Sequence, residues 1–223
     1  MPYSDKLDVE TWAQITSADF GAIGYDYVNT LQYIINLADR AIDNYCMQPN
    51  GFFNGGGVEI QKELHDGAEF GYVGSTVFLS SHDYRPFLRL KYTPVLSVTK
   101  FEEETTAGSW TTRTEGRSSD YLVDESGIYI VSNLPDYDYR NIRVTYKAGF
   151  ASTPSPVQEC SVRLAASMLH RIKDSTTRIT TTGLGSKSDT MGSEFQGLGK
   201  VTLSDEMKEQ LIQYRRKVAI KLV

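Results

Sequence analysis

The sequence is poor in the residues on which most site chemistry depends. It holds three histidines and two cysteines in 223 residues. His65, His82 and His170 stand far apart, with none of the short spacings that metal sites use. Cys46 and Cys160 fall on apolar faces of expected helices and read as buried free thiols, without a disulfide framework. A GxSxG elbow and a P-loop are both missing, and the GLGS at 183–186 neither completes GxGxxG nor follows a strand pattern. Serine hydrolysis and nucleotide-phosphate chemistry are left without a motif. No apolar run approaches the ~18 residues of a membrane span. The opening MPYSDKLDVE has neither the basic nor the apolar stretch of a secretion signal, so a soluble protein made in a cytoplasm, with no membrane partner, is expected. Excess positive charge is lacking too. A net charge of −5 disfavours general nucleic-acid binding, because counterion release rewards a basic face. It is compatible with DNA that passes close by without sticking.

What is present is ordinary globular composition, 40% apolar and 23% charged, which excludes a disordered chain. The length allows one domain with a large insertion or two small ones. Tyrosine is frequent, at 14, and suits β surfaces and interfaces.

Period divides the chain. Residues 8–16 (DVETWAQIT) predict a short helix with acids in its first turn. From Tyr27 to Met47 a long amphipathic helix is expected, its stripe made of Val28, Leu31, Ile35, Ala38, Ile42 and Tyr45, widened by Ile34 and Ala41. Pro49, Asn50 and Gly51 stop it. From FFNGGGVEI to Phe150 the period is two, with strands expected at 86–92, 95–101, 109–114, 120–123, 128–132 and 142–147. Close turns between short strands point to an antiparallel sheet or small barrel. Helical spacing returns at Val157, with Cys160, Leu164, Ala165, Met168, Leu169 and Ile172 on one face and Arg163, Arg171 and Lys173 outward. A long polar loop is expected over 175–200. A last helix is expected from the N-cap Ser204 to Ala219, with Met207, Leu211, Tyr214 and Val218 inward and Arg215, Arg216 and Lys217 in its final turn.

The fold class is therefore α+β. A small bundle of about four helices, from residues 1–50 and 151–223, carries a large antiparallel β domain inserted at 51–150. The corner Gly149–Pro156 serves as the return strap.

Carboxylates cluster at Glu102–Glu104, at Asp120, Asp124 and Glu125, and at Asp136 and Asp138. Ca²⁺ sites and glycosidases use such oxygens, but acids in turns between strands are ordinarily solvated caps. No catalytic residue, metal ligand or cofactor is assigned, and the chain reads as a non-enzyme that works through surfaces.

Three stretches carry a resemblance: LRLKYTPVLSVTKF (88–101), IRVTYKAGFASTPSPVQECSVRLAASML (142–169) and LSDEMKEQLIQYRRK (203–217). In that order, behind an N-terminal helix pair, they resemble the strand–Pro–strand entry, the strap and helix, and the closing helix of the tailed-phage head–tail connector family. This is the adaptor ring in the virion neck beneath the portal. The resemblance implies a structural virion protein, a homo-oligomeric, dodecameric ring that binds the portal protein. It extends the DNA channel, which DNA crosses without specific binding, and offers a platform to the next neck or tail completion protein. Segments 50–85, 102–127 and 175–200 exceed the family's minimal members.

On that reading the portal-docking residues are Tyr214, Arg215, Arg216, Lys217, Ile220, Leu222 and Val223, an apolar tail behind three cations. The inter-subunit or channel loop carries Arg178, Lys187, Asp189, Glu194 and Phe195. Two readings from other classes remain open. One is a carbohydrate- or protein-binding β module stacking ligands on Trp110, Tyr121, Tyr129, Tyr137 and Tyr139. The other is a small β-rich hydrolase built on the acids of 120–138.

Overall fold

The computed structural model describes residues 2–20, 27–66, 71–72, 86–132, 140–181 and 202–216, with side chains of the third helix to Lys173. The fold is α+β, and the chain divides into two compact units: Met1–Asn54 with Thr153–Val223, and Gly55–Ser152.

The first unit is helical: α1 (Lys6–Ala13), α2 (Tyr27–Cys46), α3 (Ser155–Thr181) and α4 (Asp205–Leu211). α1 starts two residues before the expected point because Asp5, in extended backbone, accepts Val9 N–H at 3.2 Å, and it ends where Gln14 turns left-handed. α2 and α1 both pack on α3. Leu31, Ile34, Ile35, Ala38 and Ile42 are buried on α2, as their spacing demands. Val28 is a correction: it is 56% exposed, and Tyr27 enters the core in its place, its hydroxyl donating to Ile15 O at 3.4 Å. Val157, Cys160, Leu164, Ala165, Met168, Leu169 and Ile172 line the buried face of α3.

α3 runs on to Thr181, through the first part of the segment expected as a loop. No glycine or proline stands between Pro156 and Gly183, and the weak penalties of threonine and isoleucine do not stop a helix already packed upstream. α4 is shorter than expected. Ser204 caps it, its hydroxyl accepting Met207 N–H at 3.2 Å. After Leu211 the chain tightens into a 3₁₀ turn, Ile212–Tyr214, and Arg215 is extended (φ −70°, ψ 129°). Arg215 and Arg216 therefore do not form a last helical turn; Arg216 N–H donates instead to Cys46 O at 2.9 Å and caps the C-terminus of α2.

The second unit holds two four-stranded antiparallel sheets. The first has the order β1 (Val58–His65), β8 (Ile142–Ala148), β4 (Val95–Thr106), β5 (Ser109–Arg113). The second has the order β2 (Gly71–Tyr72), β3 (Pro86–Arg89), β7 (Gly127–Ile130), β6 (Tyr121–Asp124). Val144, Ile142, Tyr146 and Phe101 of the first sheet and Leu88, Ile128 and Ile130 of the second are buried. Phe101 and Tyr121 meet edge to face between the sheets, ring centres 5.1 Å apart. At Gly127 a Cβ would lie 2.1 Å from Leu88 O, so β3 and β7 approach as they do only because that position has no side chain.

Candidate functional site

Of the residues singled out for docking, Tyr214, Arg215 and Arg216 fall at the C-terminal end of α2. The Tyr214 ring packs edge to face on Phe53 (5.8 Å, 84°), and its carbonyl accepts Gln48 Nε2 at 3.3 Å. The Arg215 guanidinium lies 5.6 Å from the centre of the Tyr45 ring. Both arginines thus stand beside the negative end of α2 rather than of their own helix. Ile212, 62% exposed, and Met47, 41% exposed, flank them. Lys217, Ile220, Leu222 and Val223 lie outside the described residues. Of the loop set, Arg178 belongs to α3, with its side chain outside the described part, as are Lys187, Asp189, Glu194 and Phe195.

Sequence reasoning missed a buried carboxylate pair. Asp39 and Asp43 are one turn apart on the apolar stripe of α2, and Asp43 is 1% exposed. Asp39 accepts Tyr3 N–H at 3.0 Å and the Ser161 hydroxyl at 2.6 Å; Ser4 and Ser161 hydroxyls meet at 3.0 Å. Asp43 accepts the Tyr3 hydroxyl and, at 2.9 Å, Gly51 N–H. Burial pushes the Asp43 carboxyl up to about 6 and raises Asp39, outweighing the hydrogen bonds that favour the charged forms. Such a value suits a general base, but every oxygen of the pair is turned to a protein donor inside the core, so the arrangement holds the chain rather than a substrate. The available signal was two acids at helical spacing within the stripe.

In the second unit Glu102, Glu103, Asp120 and Asp124 are engaged, Glu125 is exposed, and Asp136 and Asp138 lie outside the described residues. Glu102 binds Arg143 (2.5 and 2.7 Å) and Lys100 (2.6 Å), which hold its carboxyl down at about 2. Glu103 accepts Arg113 Nε at 3.0 Å. Asp120 accepts Thr114 N–H at 2.8 Å, and Asp124 accepts the Ser126 hydroxyl at 2.8 Å, both as turn acceptors. Glu63 bridges the Tyr146 hydroxyl (2.6 Å) and His65 (3.0 Å). The aromatic platform is likewise occupied. Tyr121 is buried on Phe101, Tyr129 packs on Phe87 at 4.7 Å, and Trp110 lies under the Arg143 guanidinium at 4.2 Å. Tyr137 and Tyr139 lie outside the described residues, as does His82. His170 is exposed on α3.

Both cysteines are free and buried, Cys46 pushed up to about 12 and Cys160 to about 11 by burial, so neither is a ready thiolate. An open groove of about 440 Å³ runs between α2 and α4, with Leu37, Ala41 and Leu203 on its walls and Arg40 and Lys208 at its rim. Among the described residues no group of His, Cys, Asp and Glu gathers as a metal site requires, and no helix is long and apolar enough to cross a membrane. No protein-family model matches the chain, and no curated protein matches it either.

Proposed function

We propose that the chain is a structural protein of the virion neck, an adaptor whose copies form a ring between the portal and the next neck or tail protein, around the channel that DNA crosses. The observation that carries this reading is the division of the chain: a helical unit built from both ends of the sequence, with a continuous β unit inserted between them. A ring requires two different contact faces on each copy besides a surface for the portal, and two separately folded units allow these tasks to be divided. Net negative charge suits a channel wall past which a polyanion must slide. The surface at the end of α2, where Arg215 stands beside exposed Ile212 and Met47, has the mix of arginine, methionine and aliphatic side chains common in protein interfaces. On this reading it docks on the portal, together with residues 217–223.

The test is native mass spectrometry of the purified chain, alone and mixed with the portal of its virus. A ring, or a complex matching the portal's symmetry, supports the reading; a chain that stays monomeric and ignores the portal overturns it. Deleting residues 218–223 leaves the helical unit folded and abolishes portal binding, and retained binding rejects the docking assignment.

A further inference from the structure

We propose that the first sheet of the β unit is the assembly surface, with the β5 edge of one copy pairing antiparallel to the Glu63–His65 part of β1 in the next. This rests on the ring reading and supplies the two faces that reading requires.

Among the described residues the order β1-β8-β4-β5 leaves β1 and β5 each with one edge that no strand pairs, and all three pairings are antiparallel. With four strands, β5 runs opposite to β1. A neighbour related by rotation about an axis along the strands is not turned over, so its β1 arrives antiparallel to β5, and the alternation continues across the boundary. A sheet with an odd number of strands could not repeat in this way.

The side chains at the two edges are complementary. On the face opposite Phe101 and Val144, one row runs Leu64, Arg143, Glu102, Thr112, with Glu102 buried beneath its Arg143 and Lys100 partners. Leu64 ends that row 48% exposed, a large apolar side chain with no described strand of its own sheet beyond it. At the other end stands Trp110, two residues from Thr112 and hence on the same face, held under the Arg143 guanidinium. The next copy's Leu64 continues the row past Thr112 and packs beside Trp110.

The edges also differ in protection. β5 reads Ser-Trp-Thr-Thr-Arg, without proline, lysine or a break in register from Trp110 to Arg113. β1 is blunted in its middle, where the register slips between Ile60 and Glu63 and Lys62 has φ 52°. That leaves Glu63–His65 as the short segment that receives β5. Further register shifts in β4 bend the sheet, as closure around an axis demands.

The experiment uses the full chain carrying Leu64→Cys and Thr112→Cys together, treated with a short bis-maleimide; Cys46 and Cys160 are buried and stay unlabelled. Both substituted positions are exposed, so the fold tolerates them. The expected result is a ladder beyond two copies, linked dimers from a mixture of the two single variants, and none from Leu64→Cys alone. Amides of 109–113 exchange roughly tenfold or more slower in the assembly than in the monomer. A ladder that stops at two copies, with Thr112→Cys alone giving dimers, overturns the proposal in favour of two-fold β5–β5 pairing. A ring that forms without cross-links or slowed exchange at 109–113 overturns this contact and leaves the ring reading standing. A chain that remains monomeric at every concentration and beside the portal overturns both.

Discussion

Tyr3 and Asp43 are joined at the base of the helical unit: the phenol hydroxyl donates to Asp43 Oδ1 while the same residue's N–H donates to Asp39 Oδ2. One residue near the start of the chain thereby answers two carboxylates buried on α2. The Tyr3 ring also packs edge to face on Phe53 at 5.8 Å. Tyr3→Phe keeps that packing and removes the donor, leaving a buried acceptor short of a partner. A loss of about 2 kcal/mol from the helical unit is expected. The two tryptophans fall one in each unit, so urea unfolding followed by Trp12 fluorescence in a Trp110→Phe background reads this unit alone. An unchanged midpoint would sink the assignment.

Mild acid should strengthen the helical unit. Asp43 is raised from 3.8 to about 6, so the stability tied to its protonated form is complete below about 4 and is lost as pH rises through 6. Glu102 in the β unit is lowered from 4.5 to about 2, and its contribution is present above 4.5 and lost only as pH falls through 2. Between pH 7 and pH 4 the thermal midpoint read by Trp12 is expected to climb. Asp43→Asn should flatten that climb; a variant that keeps the full slope refutes the role given to Asp43.

Charge pairing on the first sheet is expected to matter through what is left behind. Arg143→Met strips Glu102 of its bidentate partner and Trp110 of its cation, and should cost the β unit about 2 kcal/mol. Adding Glu102→Leu removes the carboxylate, then left with Lys100 alone, and recovers part of the loss. A double-mutant cycle with Trp110 as the probe measures this, and strictly additive losses would contradict it.

Gly127→Ala tests the close approach of β3 and β7. The added methyl meets Leu88 O and the Phe87 ring tip, both inside the unit, so a penalty of about 3 kcal/mol is expected. Chemical denaturation of the variant should show the β unit unfolding first, with Trp12 still reporting native structure; normal stability would mean the strands separate without cost.

The parts of this fold that sequence exposed are those in which one period dominates. Leu31, Ile35, Ala38 and Ile42 announce α2, and the apolar–polar alternation of PFLRLKY and VLSVTKF in the sequence marks β3 and the first part of β4. β1 was harder to see because the bulge at Lys62 breaks its alternation and glutamates sit on both sides of it. Asp39 and Asp43 are not legible as a pair in sequence, since their partners, Tyr3, Gly51 and Ser161, come from segments brought near only by folding. The short α4 was hidden for the same reason. Nothing within 203–217 says that the backbone of Arg216 is needed at Cys46, more than 160 residues away, whereas the intrinsic helix propensity of QYRRK argues for continuing.

That last bond has a bearing on how the chain is made. Synthesis releases α1 and α2 before the whole of Gly55–Ser152, and the segment that caps α2 after it. The β unit can be complete while the apolar stripe of α2 still waits for α3, and the carbonyl of Cys46 for Arg216. A truncation between residue 152 and the body of α3 therefore yields a finished β unit tethered to two helices with no partner, a product for proteolysis rather than for assembly.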